Sequence, residues 1–517
     1  MTDGGPAPPT ALTIAPRSNS IGNSRVKSLP RWPVIAVLVL IFVVAAVYAY
    51  FIYAPCDDTY IYLVYAKNYV AGHGLTFNGM KVQGFTSVLW MFLITLLGKL
   101  GVALPAAANA LSVVAGLLAV VAAYRLGRVV GLSEWAALAP PALLALTADF
   151  SFYMGNGLES VLFAAMLTLA TTLAVAPEPQ QTLRSWKTPL ILALTVFARP
   201  EGSAVALVVL AILAWRSRDY KRVALTGGVV VALVAPVVIA LRVYYGDWLP
   251  NTYYVKAGAG LANVDLGLKY FLSFAETASI VLFLTGFVAI FRWRALGQAG
   301  IAMLIMVVMW FGYVIVQGGD NMTGYRQFLP IVPVMYVFIA YGFRGVPLRA
   351  LAYAVLFVGI FNLFTWNIGS AFVSPWNVKV KVLANEWARL YPIRVNIGRQ
   401  LKRDLPADAV IAVSAAGIIP YYSELATIDM LGLNNRAIAH DGDRDRSLPY
   451  GHQVGDGRYV LQQNPDAIIF GGQGRRTGDL FLSDQQITRS PAFTRNYSPV
   501  ALPGGGVAYY RNDHVGR

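Results

Sequence analysis

Long apolar runs separated by short polar turns fill the chain from about residue 33 to residue 366, and beyond that the pattern changes. A helix needs roughly 20 apolar residues to cross about 30 Å of hydrocarbon. Residues 33–54, 104–126, 135–150, 158–175, 223–240, 278–291, 301–316, 328–343 and 351–366 read as such spans. Two shorter runs, 188–198 and 203–215, flank the polar turn Arg199-Pro200-Glu201 and read as a pair of spans or as one broken helix. Counted as two, they bring the total to about eleven. Segment 86–100 (TSVLWMFLITLLGKL) is short and carries Lys99, so it reads as a helix lying on the membrane surface.

From about residue 375 the apolar runs shorten to four or five residues, and charge, Asn and Gly rise. Segments 410–413, 467–470 and 506–510 have the β-branched and aromatic character of strands, while 377–405 and 459–463 read as helices. The expectation is an α-helical polytopic membrane protein with a soluble α/β domain over residues 375–517, large enough for its own core. Residues 1–32, rich in Pro, Ser, Thr, Ala and Gly, read as a disordered tail rather than a cleaved signal. No internal repeat is evident, which weighs against an inverted-repeat transporter.

Composition sharpens this picture. The chain has 517 residues, 57% hydrophobic and 13% charged, with a mean hydropathy of +0.56, too apolar for a soluble protein of this size. Its formal charge of +15 would point to nucleic acid in a soluble chain, but here basic residues are parcelled between apolar runs and report topology. With segment 86–100 on the surface, the clusters Arg25/Lys27/Arg31, Arg125/Arg128, Arg184/Lys187, Arg216/Arg218/Lys221/Arg222, Arg292/Arg294 and Arg344/Arg349 all fall on one side. The positive-inside rule then makes the amino terminus cytoplasmic and the 375–517 domain extracytoplasmic. Cys56 is the sole cysteine, so an intramolecular disulfide and a Cys-based zinc site are excluded.

With topology set, the acidic residues Asp57, Asp58, Glu159, Glu201, Asp247 and Asp320 gather at the external ends of spans. Carboxylates near hydrocarbon are expensive and usually have a partner or a task, which points to one cavity at the outer leaflet. The first external loop, 55–103, opens with the pair Asp57-Asp58, suited to general-base work but equally to capping a helix. No histidine stands near it at metal-ligand spacing, and the need for a divalent ion stays open. Lys67, Asn68 and His73 lie in the same loop, where His73 between glycines could contact a sugar or stabilise a turn. Asn251, Tyr253, Tyr254 and Lys256 offer a phosphate charge, hydroxyls and ring faces, or else an interfacial aromatic belt with a snorkelling lysine. Arg326 is a second phosphate candidate or the partner of Asp320, and Arg199 with Glu201 a ligand clamp or a buried ion pair. In the tail domain Asp429, Asn434, His440 and His452 stand near turns and could meet an acceptor or pack the domain onto the membrane face.

Taken in order, DDTYIY, KNYVAGHGLTFNG, VQGFTSVLW, GLES, RPEG, LPNTYYVKA, GGDNMTGYRQFLPIVPV and TIDMLGLNNRAIA resemble the GT-C glycosyltransferases, and most closely the actinobacterial terminal arabinofuranosyltransferases. The resemblance runs from Asp57 to Ala439. It implies a GT-C catalytic domain over residues 33–374 and a polyprenyl-phosphate sugar donor, D-arabinofuranose favoured. The acceptor would be an envelope polysaccharide or glycoprotein, and no cofactor besides the donor is implied. It also implies that Asp57 or Asp58 activates the acceptor hydroxyl. The alternatives are a hexose or aminoarabinose donor, or a transporter of lipid-linked glycan.

Overall fold

The structure, a computed structural model, describes residues 31–257, 263–322, 324–368, 380–502 and 504–514. The expected disordered tail, up to residue 30, and the expected boundary near residue 375 lie outside these residues, while Trp32, expected in the tail, opens the first helix.

Up to residue 368 the described residues are mostly helical. In order come α1 (Trp32–Phe51), α2 (Asp57–Val70), α3 (Val88–Lys99), α4 (Leu104–Val129), α5 (Ala139–Ala145), α6 (Ala148–Gly155), α7 (Ser160–Val175), α8 (Pro179–Arg184) and α9 (Lys187–Ala198). They are followed by α10 (Gly202–Ser217), α11 (Tyr220–Tyr245), α12 (Asn251–Ala257), α13 (Asn263–Thr277), α14 (Ser279–Phe291), α15 (Gly297–Gln317), α16 (Val332–Gly342) and α17 (Leu348–Ile368). Among the described residues α1, α4, α11 and α15 are long and apolar enough to cross a membrane, and two bent pairs bring the total to six. Five shorter apolar helices coincide with the remaining predicted spans, so every apolar run read from the sequence falls on helix. The surface candidate is α3, 12 residues long, which is too short to cross the membrane unaided.

One expected continuous element is instead bent, and a second bend joins an expected span to an unexpected helix. Run 135–150 breaks into α5 and α6 at 66°, because Thr147 leaves the helical region and its hydroxyl bonds Leu143 O and Tyr336 Oη where the backbone ladder stops. A helix that the apolar pattern does not mark, α13, precedes α14 at 96°. It is amphipathic, and Gly267 sits so close to the Ile315 carbonyl of α15 that a Cβ there would lie 1.9 Å from the oxygen. The two predicted halves around Arg199-Pro200-Glu201 are two helices, α9 and α10, packed on each other.

Beyond residue 380, α18 (Val380–Asp404) leads into β1 (Val410–Val413), α19 (Ile418–Ser423), β2 (Ala426–Asp429), α20 (Arg436–Asp441), β3 (Asp443–Arg444), β4 (Val454–Gly455), α21 (Gly457–Gln462) and β5 (Ala467–Ile469). The chain continues through α22 (Leu482–Thr488), α23 (Pro491–Asn496), β6 (Tyr497–Ala501) and β7 (Val507–Arg511). The main sheet has the order β2-β1-β5-β7-β6, parallel from β2 to β5 and antiparallel thereafter. Strand alternation gives each face a core: Ile411, Val413 and Ile469 pack on Ile397 and Leu401 of α18, and Ala412 and Ile468 pack with Val460 and Ile487 on the other side.

The α/β domain is seated on the membrane helices by groups that bury their polar needs at the junction. Asn251 Nδ2 donates to the carbonyls of Gly432, Leu433 and Asn435. Tyr65 Oη, itself held by Val82 O, bonds Asn434 Oδ1, and Ala416 and Ile418 belong to the same apolar core as the membrane helices.

Candidate functional site

The Asp pair occupies the first turn of α2, where exposed backbone amides favour negative charge. The two carboxylates then diverge. Asp57 turns toward the α/β domain, accepts from Gly417 N and Ile418 N at 3.0 Å each, and pairs with Arg394 at 3.1 Å. Both its oxygens are committed to the start of α19. Asp58 keeps 40% of its side chain exposed, and its one ion-pair partner among the described residues is Arg326, whose Nη1 lies at 3.4 Å.

Asp58 sits at a seam. A cavity of about 540 Å³ lies on its membrane-helix side and another of about 420 Å³ on its α/β side, and among the described residues Asp58, Ile61 and Leu433 line both. Asp58 is the one ionisable group of the three.

The larger cavity brings together three cations, Arg199, Lys256 and Arg326, and three carboxylates, Asp58, Glu159 and Glu201. Arg326 grips Asp320 with two bonds, Nε to Oδ2 at 2.7 Å and Nη2 to Oδ1 at 3.0 Å, which leaves Nη1 facing Asp58. Burial works against ionisation of Asp320, yet Arg326 and Lys256 hold its carboxyl below the usual range. Arg199 bridges Glu159 Oε1 at 2.7 Å and Glu201 Oε1 at 2.8 Å. Lys256, on α12, makes no hydrogen bond or ion pair through its ammonium among the described residues, and burial lowers its pKa against the opposing pull of Asp320. A desolvated, unpaired ammonium beside two arginines is poised to bind an anion. The mouth of this cavity is apolar and open: Val316 is 61% exposed, Tyr253 50% and Leu249 37%.

The smaller cavity is framed by α18 and by loops of the α/β domain. Asp429 lines it, buried, accepting from Leu431 N and from Asn434 N and Nδ2, and burial pushes its pKa up to about 6 against those bonds. His452 also lines it, 3.2 Å from Asn321 Nδ2, and burial pushes its pKa down to about 4 although Asp58 pulls the other way.

The remaining sequence candidates are placed as follows. Glu159, Arg199, Glu201, Tyr253 and Lys256 line the larger cavity together with Asp58 and Arg326, while Asp320 stands behind Arg326. Lys67 pairs with Glu424, Asn68 bonds Thr76 O and Asn78 within its loop, and His73 is exposed; none of the three lines either cavity. Asp247 pairs with Arg436 at 2.8 Å and lies 3.7 Å from His440, which stacks on Tyr254 at 4.0 Å, away from both cavities. Asn251 and Asn434 serve the junction between domains. Sequence reasoning missed Gln317, Tyr313 and Tyr450 in the larger cavity and Trp387, Arg394 and Gln473 in the smaller one. Of these only Gln473 carried a signal, since it lies in the glycine-rich stretch FGGQGRR.

No curated protein sequence matches the chain. Residues 384–514 match a domain family described as a domain of unknown function, DUF8728. Among solved structures, ArnT from Cupriavidus metallidurans bound to undecaprenyl phosphate superposes with a TM-score of 0.52 at 13% identity, covering 78% of this chain and 87% of that one. The Archaeoglobus fulgidus oligosaccharyltransferase in complex with Zn and sulfate gives 0.52 at 15% identity, covering 92% and 73%. The archaeal oligosaccharyltransferase AglB from Archaeoglobus fulgidus, in complex with an inhibitory peptide and a dolichol-phosphate, gives 0.54 at 12% identity, covering 93% and 74%. The chain has the fold of the GT-C membrane proteins, with a sheet-containing domain at its carboxyl-terminal end.

Proposed function

We propose that this chain is a membrane glycosyltransferase that moves a sugar, D-arabinofuranose favoured, from a polyprenyl-phosphate donor to a cell-envelope glycan or protein on the extracytoplasmic side. The observation that carries this reading is the position of Asp58 between two cavities, one with an apolar mouth and the Lys256 ammonium, the other lined by the α/β domain. In this reading the donor headgroup enters the larger cavity, its phosphate meets Lys256, Arg326 and Arg199, and its isoprenoid chain leaves past Val316 and Leu249. Lipid phosphates bound by ArnT and AglB are consistent with such a donor.

The acceptor hydroxyl approaches from the smaller cavity. Asp58 takes its proton as the oxygen forms the new bond to the anomeric carbon, and the bond from that carbon to the phosphate oxygen breaks with its electron pair going to the departing polyprenyl phosphate. Negative charge grows on the leaving phosphate, so fixed cations there lower the barrier most. Asp57, with both oxygens bound to the α/β domain, positions the loop rather than taking the proton. The orientation follows the distribution of basic clusters, with the amino terminus cytoplasmic.

The test is a panel of radiolabelled polyprenyl-phosphate sugars offered to membranes containing the chain. Transfer of label from the arabinofuranosyl donor is expected; transfer from a hexosyl or aminoarabinosyl donor alone would replace the sugar, and consumption of none would contradict the reading.

A further inference from the structure

The smaller cavity lies where open parallel sheets bind ligands. The chain runs from β1 to β2 on one side of the sheet and then returns to β5 on the other side of β1. The loops leaving β1 and β5 therefore part in opposite directions and open a crevice at the carboxyl ends of the strands, the usual ligand position in such sheets. The register sets these ends level: Val413 stands opposite Asp429 in β2 and Ile469 in β5. The residues that follow, Ser414 and Ala415 after β1, Leu431 after β2 and Gly471 to Gln473 after β5, all line the cavity that reaches Asp58. Asp484 ties the two flanking loops together, accepting from Ser414 Oγ at 3.0 Å and Gly471 N at 3.3 Å.

Resting on the transferase reading above, we infer that the acceptor is held by this switch-point crevice of the α/β domain, and that its occupant is an uncharged saccharide chain. Charge in the crevice leans acidic. Arg394 neutralises Asp57, which leaves Asp58, Glu386 and the amide-held Asp429 against Arg475, itself 3.7 Å from Asp479. An acidic glycan or phosphorylated lipid would find no surplus of cations there. Trp387, half-buried against Phe152 at 5.2 Å, offers a ring and an indole N–H with no partner among the described residues. Gln473 offers a side-chain amide likewise without a partner among them. A ring face flanked by amides suits the alternating C–H faces and hydroxyls of a sugar. Most of this lining, from Glu386 to Phe481, falls within the segment that matches DUF8728.

The experiment applies the full-length protein in detergent to a glycan array bearing uncharged, uronic-acid and phosphorylated oligosaccharides, beside the variants Trp387→Ala and Gln473→Ala. Retention of uncharged oligosaccharides, at least tenfold weaker in each variant that folds, is expected. Should Trp387→Ala fail to fold, Gln473→Ala decides. Retention of acidic glycans alone, no retention, or unchanged affinity in the folded variants would overturn the inference. Donor consumption by the wild-type chain separates the two levels: with donor consumed and glycan binding indifferent to both substitutions, the crevice assignment fails alone. With no donor consumed, the transferase reading fails, whatever the array shows.

Discussion

Two adjacent carboxylates at the start of one helix end in different environments, and that difference is settled by what packs over each. Asp57 meets the amides that begin α19 and the Arg394 guanidinium, whereas Asp58 meets open space and one distant guanidinium nitrogen. The pair itself is legible in the sequence, but which member is free is not, because Gly417, Ile418 and Arg394 lie more than 330 residues away along the chain. Arg326 shows the same limit. Its pairing with Asp320 spans 6 residues and could be foreseen, while its reach to Asp58 spans 268 and could not. A third carboxylate makes a prediction about pH. Burial raises the Asp484 pKa to about 7, against the bonds from Ser414 and Gly471. Unfolded, the same group titrates near about 3.9. Between about pH 4 and about pH 7 the folded chain therefore holds more protons on this side chain than the unfolded chain does, so its contribution lowers stability as pH rises. Asp484→Asn removes that contribution, and thermal unfolding in detergent is expected to show a smaller loss of Tm between pH 4 and pH 7 than in the wild type. An identical loss would contradict the assignment.

Helices declared themselves by apolar length, and every run long enough to mark a span falls on helix. The misses are elements whose pattern is not apolar. Helix α13 is amphipathic and α12 is short and aromatic, and strands β2 and β6 carry Thr, Ser or Pro among their apolar residues. Bends were equally silent, since the Thr147 break depends on Tyr336 of a distant helix. Contact between elements makes its own prediction. Gly417 lies against the backbone of α2, and a Cβ there would sit 1.9 Å from Asp57 O and 3.0 Å from its carboxyl carbon. Neither atom can yield without moving the helix that carries Asp58. Gly417→Ala is therefore expected to cost about 1–3 kcal/mol in stability and to reduce transfer, measured together by thermal unfolding and by donor consumption. Wild-type values for both would show that α19 is not fixed against α2.

At the scale of the whole molecule, the fold divides labour between a helix bundle and a sheet domain whose cavities adjoin at Asp58. The bundle supplies cations and an apolar mouth, and the α/β domain supplies a polar crevice; neither half alone encloses Asp58. Sequence composition leads to the expectation of a division near residue 375, but does not reveal that the sheet presents its carboxyl edge to the bundle, because that orientation depends on contacts such as Asn251 with the 432–435 turn. The proposed topology is checked by fusing alkaline phosphatase, active only outside the cytoplasm, to the carboxyl terminus in a bacterial host. An active fusion is expected, and an inactive one paired with an active cytoplasmic reporter at the same position would invert the orientation.

The most direct test of the central claim compares Asp58→Asn with Asp57→Asn in purified full-length protein, assayed for transfer from a polyprenyl-phosphate sugar. Loss of a general base typically costs about 10²–10⁴-fold in rate, and a loss of that size is expected for Asp58→Asn with folding preserved. Asp57→Asn should instead lower Tm while leaving measurable transfer. Undiminished transfer by the Asp58 variant, or a larger loss at Asp57 in a protein that melts normally, would contradict the account.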